Sequence, residues 1–216
     1  MQGRRTTIAI LAGERGAGKT SACRSAALLA AEAGLTVGGL LSPSIRDEAG
    51  RPVEIEVEEL ATGERRLLAS RSLALEGPRL AARPAAGDRS DDPALPPFRF
   101  SEACLAWALD LLRRDSGSEL LILDEVGPLE LELGAGFRPF LDELAGDRLP
   151  ARPGLLLVSA RPALAAPLAA LLGPSRGPRV LTLDPATRPG LPAAIRDLAL
   201  ESAGPGSSRG KPSRDR

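Results

Sequence analysis

Residues Gly13-Glu14-Arg15-Gly16-Ala17-Gly18-Lys19-Thr20 spell G-x-x-x-x-G-K-T, and far downstream Asp124-Glu125 closes an apolar run. Glycines at these spacings let a backbone curl so that successive N–H groups point at phosphate oxygens. A lysine there supplies a point charge for β- and γ-phosphates, and a threonine hydroxyl is a hard ligand for Mg2+. Two adjacent carboxylates facing such a loop can divide the work. Asp124 suits holding the metal through its water shell, and Glu125 suits orienting a water against the terminal phosphate. This chemistry makes Lys19 and Glu125 the candidate catalytic residues. Gly13, Glu14, Arg15, Gly16, Ala17, Gly18, Lys19, Thr20 and Ser21 become candidate nucleotide contacts, with Thr20 and Asp124 as candidate Mg2+ holders. Phosphoryl transfer rests on positioning and charge compensation rather than covalent catalysis. A chain without histidine can run it.

The flanking elements must put these groups together. Residues 7–12 are a β-branched and apolar run that predicts a buried strand, and 21–33 an Ala- and Leu-rich helix stopped by Gly34. Residues 120–123 predict a buried parallel strand with Asp124 and Glu125 at its carboxyl end, the edge where open α/β sheets take ligands. Strand alternation predicts that the two carboxylates point to opposite faces. Residues 36–41 read as a second strand whose glycines permit close backbone approach, and 42–50 as a polar turn region containing Arg46. The period-two pattern of 53–58 predicts a half-exposed antiparallel strand, returning as 65–70 across a turn at 61–64, its charges reading as a solvated ribbon. Residues 77–97, rich in Pro, Gly, Ala, Arg and Asp, read as a long surface loop.

Phe98–Phe100 reads as a short extended piece, followed by a helix capped by Ser101 and running to Arg114. That helix carries Leu105, Ala108, Leu109 and Leu112 on one face, and Trp107 reads as a packing residue. Helices at 136–146, 162–172 and 191–203 alternate with strands at 155–159 and 179–183. The pattern predicts a three-layer α/β sandwich, mostly parallel, with a β-hairpin insertion after the second strand. The domain should span residues 1–203, with 204–216 a disordered basic tail.

Composition narrows the function. The 216 residues carry 28 basic and 28 acidic side chains, a balance that argues against nucleic acid as a partner. The absence of histidine excludes a Ser-His triad and His metal ligands. Cys23 and Cys104 form no C-x-x-C, which argues against a zinc site. The apolar run after Arg4-Arg5 breaks too soon for a signal peptide or membrane span, so a cytoplasmic protein is expected. Ser159 and Arg161 follow a strand's carboxyl end, where a γ-phosphate sensor would sit. Arg188 follows the last strand, near where a base would lie. Arg15, Arg46 and Arg161 are all candidates for an arginine acting in cis on the γ-phosphate, which in related chemistry contributes roughly 10³–10⁵-fold in rate.

Gly13–Thr20, Gly38-Gly39-Leu40 with Arg46 ahead of the hairpin, and Asp124-Glu125-Val126-Gly127-Pro128-Leu129-Glu130-Leu131 together resemble the small P-loop nucleoside-triphosphatase family that includes the mammalian cancer-related nucleoside triphosphatase. The resemblance covers about residues 7 to 197. It implies a P-loop NTPase sandwich with an added catalytic glutamate, and Mg2+-dependent hydrolysis of ATP, GTP and other nucleoside triphosphates to diphosphate and phosphate. Family members continue the loop with a Thr-Leu-like pair where this chain has Ser21-Ala22. Two other functions fit the same residues. One is a small kinase passing the phosphate to a metabolite or nucleotide. The other is a nucleotide-gated adaptor engaging an unidentified protein partner through the 77–97 loop or the tail.

Overall fold

A computed structural model describes residues 6–73, 75–77, 79–80, 97–173 and 177–203. Most of the 77–97 loop and the whole 204–216 tail lie outside the described residues. The chain runs β1 (Thr7–Ala12), α1 (Lys19–Glu32), β2 (Val37–Leu41), β3 (Ser44–Arg46), β4 (Pro52–Glu59), β5 (Arg65–Ser70), β6 (Arg79–Leu80), β7 (Phe98–Phe100) and α2 (Glu102–Arg114). It continues through β8 (Leu120–Val126), α3 (Pro128–Leu131), α4 (Arg138–Ala145), β9 (Leu155–Ala160), α5 (Pro162–Leu171), β10 (Arg179–Thr182) and α6 (Leu191–Ala203).

The strands form one sheet in the order β10-β1-β9-β8-β2-β4-β5-β7-β6, with β3 paired to β4. From β10 to β2 the pairing is parallel, and from β4 outward it is antiparallel. The parallel half explains the near-continuous burial of β1, β8 and β9, since helices cover both faces. Ala22, Cys23, Ala26, Ala27 and Ala30 bring α1 down onto one face beside α6. The opposite face packs against α2, α4 and α5 around Phe140, Leu141, Leu112 and Leu168. Small and branched residues fill the space that aromatics would otherwise take.

Most predicted elements are present within a residue or two. Ser101 caps α2 by accepting from the Cys104 N–H at 3.2 Å. Gly34 stops α1 in the left-handed region, and the Leu35 N–H returns to the Ala30 carbonyl at 3.0 Å. Helix α1 starts two residues earlier than its composition suggests, because left-handed Gly18 turns directly into it. Part of the 42–50 turn region forms β3, so the insertion is a three-stranded antiparallel meander. Gly39, at φ 98°, has no room for a Cβ, which would collide with the Ile122 carbonyl and lie 2.8 Å from its nitrogen. Gly39 permits that close passage of β2 beside β8, while Gly38 makes room for Asp115 and Ser118.

Glu64, Arg65 and Arg66 are solvated as a ribbon's charges would be, but Glu58 and Glu59 are not. Glu58 is 6% exposed, takes a bidentate contact from Arg24 of α1, and pairs across the strand with Arg65 at 2.6 Å. Glu59 takes Arg114 of α2 at 2.5 Å. These ion pairs tie the meander to the helices on both faces of the sheet. Trp107 is half-buried against the core and carries the Arg66 guanidinium 4.3 Å above its ring, which confirms a packing role.

Candidate active site

The glycine loop is anchored where β1 ends. The Gly13 N–H donates to the Ala160 carbonyl of β9 at 3.2 Å, and Leu183, just past β10, donates to the Ala12 carbonyl at 2.8 Å. A tight turn follows, with the Ala17 N–H on the Glu14 carbonyl at 3.1 Å. Gly16 and Gly18 have φ of 75° and 94°, a region L-residues rarely enter. Gly18 places Lys19 and Thr20 in the first turn of α1, whose N-terminal N–H groups take no side-chain cap. An uncapped helix mouth behind a glycine loop is an anion-binding geometry. Within it the Lys19 ammonium donates to the carbonyls of Gly13 at 2.8 Å and Glu14 at 3.1 Å.

Burial lowers the Lys19 pKa, and the carboxylates of Glu125 and Asp124 pull it back up. Glu125 is raised, first by the protein packed around it and then by neighbouring Asp124, with Lys19, Arg15 and Arg161 opposing. Its side chain is nonetheless reachable by solvent, as a group that handles water must be. Lys19, Asp124, Glu125, Arg15 and Arg161 therefore share one electrostatic neighbourhood.

Asp124 is 1% exposed, and strands on both sides hold it. The Ser42 N–H, just past β2, donates to Oδ2 at 3.2 Å, while its hydroxyl donates to the Asp124 carbonyl at 2.9 Å. The Ser159 hydroxyl of β9 donates to Oδ1. Ser42 was hidden in a stretch read as a turn; its place beyond the carboxyl end of a parallel strand was the available signal.

The alternation argument for the two carboxylates fails here. Leu123 pairs with Val158 and Val126 with Ala160, so Asp124 and Glu125 together oppose the single residue Ser159. This is a β-bulge in a parallel pair, an uncommon device that re-aims side chains next to functional sites. Glu125 takes the left-handed backbone at φ 66°, and its N–H goes to the Ser159 hydroxyl at 2.9 Å. Ser159 is fully buried, so it does not serve as the predicted phosphate sensor.

Beyond the bulge, Glu130 is buried and accepts from the Gly127 N–H at 2.9 Å and the Phe137 N–H at 3.1 Å. It clasps the segment following Glu125, and burial pushes its pKa up to about 7. Of the three candidate arginines, Arg15 and Arg161 lie close enough to act on Glu125 electrostatically. Arg46 is exposed at the end of β3 and donates to the Gly50 carbonyl at 2.6 Å. Ser21 is exposed on the first turn of α1. Arg188 is exposed in the turn after β10, its N–H on the Asp184 carbonyl at 3.0 Å, and the start of that turn meets the glycine loop through Leu183 and Gly13.

A hydroxyl on Thr20 and a carboxylate on Asp124 are hard oxygen donors that suit Mg2+ shared with phosphates, which keeps several waters and needs no protein cage. Among the described residues no group of three or more Asp, Glu, Cys or His side chains is placed to hold a metal ion by itself. No helix among them is long and apolar enough to cross a membrane.

Sheet order, glycine loop and paired acids define a P-loop protein with two adjacent carboxylates at the carboxyl end of β8. The chain belongs to the nucleoside-triphosphatase (NTPase) family, whose model matches residues 8–195. It is 33% identical over 126 residues to the nucleoside-triphosphatase THEP1 of Methanopyrus kandleri, a match covering 58% of this chain and 61% of that relative's length. Its fold is similar to that of a human cancer-related nucleoside triphosphatase (TM-score 0.60, 21% identity), across 95% of this chain and all of the other. THEP1 from the hyperthermophile Aquifex aeolicus is similar at TM-score 0.60 and 16% identity, across 89% and 99%.

Proposed function

We propose that this chain hydrolyses nucleoside triphosphates such as ATP and GTP at the γ-phosphate, yielding diphosphate and phosphate with Mg2+ as cofactor. The observation that carries the reading is the convergence of Lys19, Asp124 and Glu125 at the mouth of α1, where both carboxylates act on the Lys19 ammonium. Loop N–H groups and Lys19 receive the polyphosphate. Thr20 and Asp124 hold Mg2+, which neutralises charge on the phosphates. Glu125, solvent-reachable and held by the bulge, orients the water. Arg15 and Arg161 add positive charge at the same place, which favours the negative transition state. Residues 1–203 form the catalytic unit in this reading, and 204–216 a basic tail. In this reading the enzyme is cytoplasmic.

The test is phosphate release from a panel of nucleoside triphosphates with Mg2+ or EDTA, on the native chain and Glu125→Gln. Mg2+-dependent release that Glu125→Gln reduces by at least about 100-fold, with binding retained, is the expected result. Wild-type turnover in the variant removes Glu125 from its role. Preferential transfer to an added hydroxyl acceptor replaces hydrolysis with a kinase reaction.

A further inference from the structure

We infer that Ser159 is a positioning residue that sets the metal-holding and water-orienting carboxylates with a single hydroxyl, an inference resting on the hydrolase reading above. Across a regular parallel pair, one residue cannot address two successive neighbours on the next strand. Here the bulge places both Asp124 and Glu125 opposite Ser159. The extra residue in a bulge leaves the ladder, so its N–H needs another acceptor. The Ser159 hydroxyl oxygen is that acceptor for Glu125, at 2.9 Å. An amide N–H can only donate, so the hydroxyl proton is left for the Asp124 carboxylate, to which it is bonded.

The result is a relay from the Glu125 N–H through the Ser159 O–H to Asp124 Oδ1. Each bond in such a chain strengthens the next, and neither can turn without the other. Ser42, on the far side of β8, fixes Oδ2 and the Asp124 carbonyl. It makes no bond to Glu125 that would set the backbone there, so Ser159 alone of the two serines reaches both members of the bulge. Its complete burial means it acts on substrate only through them.

Three measurements on Ser159→Ala test this. Exchange of the Glu125 amide with deuterium, read without nucleotide, should accelerate at least about tenfold, because its acceptor is gone. Mn2+ affinity of the complex with a non-hydrolysable triphosphate analogue should fall about 5–10-fold, while analogue affinity in EDTA stays within about twofold. At saturating Mg2+, where weakened metal binding is silent, the kcat should fall at least about tenfold with KM within about threefold, and the same substitution in a Glu125→Gln background should cost almost nothing further. Unchanged amide exchange together with unchanged Mn2+ affinity overturns the inference. So does a full additional loss of rate in the double variant. If the native chain releases no phosphate, the hydrolase reading fails on its own, and the exchange and Mn2+ experiments still decide the role of Ser159. Should Ser159→Ala not fold, Ser159→Cys, similar in volume with a weaker donor and acceptor, is read by the same exchange and Mn2+ measurements.

Discussion

The Lys19 ammonium donates to the Gly13 carbonyl oxygen at 2.8 Å, so the cation that we propose receives phosphate is tethered to the residue that opens its own loop. Both ends of the turn are thereby held in the shape that presents its N–H groups. Lys19→Ala removes the phosphate cation and the tether together. Triphosphate affinity should fall at least about 100-fold, against about tenfold or less for diphosphate. Calorimetric titration of both nucleotides checks the ratio, and unchanged triphosphate affinity removes the loop as the binding site.

Glu125 holds a backbone conformation that suits asparagine or glycine far better than glutamate. Its carboxylate also crowds that of Asp124, which helps raise its pKa. Glu125→Asn should relieve both costs and stabilise the fold by about 1 kcal/mol, raising Tm by about 2–4 °C, while phosphate release collapses. Thermal melting alongside a phosphate assay reads the trade; a lower Tm in the variant argues against strain at this position.

Glu130 makes stability depend on pH. Its folded pKa is raised from the ordinary 4.5 to about 7, so between those values the folded chain holds a proton that the unfolded chain has released. Stability from this group is fully present below pH 4.5 and is lost as pH rises through about 7, a change of roughly 3 kcal/mol. Glu130→Gln cannot ionise, so urea unfolding from pH 5 to 8 should show a shallower fall in the variant than in the native chain. Parallel slopes would refute the assignment.

Arg24 reaches from α1 to Glu58 on β4, and Glu58 also takes Arg65. The Arg24 hydrogen bond is the largest influence holding the Glu58 carboxyl below its usual range. Because Arg24 is partly exposed, solvent screens the pair, and Arg24→Met should cost about 1 kcal/mol. Combining it with Glu58→Gln should cost less than the sum, as a double-mutant cycle by urea unfolding will show.

The loop, the paired acids and the succession of strands and helices along the chain were legible because each depends on local chemistry: glycine φ, an apolar run, a residue type at a strand end. The bulge was not. A stretch reading Leu-Leu-Ile-Leu-Asp-Glu-Val carries nothing to mark a slipped register, since the residue forced into the left-handed region is a glutamate rather than a glycine. Ser159 likewise looked like a group free to meet phosphate, and only the neighbouring strand shows its hydroxyl committed. The period-two pattern of 53–58 gave the antiparallel strand correctly but not the burial of Glu58, which depends on Arg24 from a distant helix. Arg15 and Arg161 separated from Arg46 only once the chain was folded.

The tight crossing at Gly39 bears on chimeric proteins built by exchanging segments with relatives. Any donor fragment that replaces β2 must bring glycine to that position, since even alanine would wedge β2 away from Ile122 and pull Ser42 off Asp124. A junction in the exposed stretch around residues 47–51 takes β2 and β8 from different parents, so glycine must be kept at position 39 in whichever parent supplies β2.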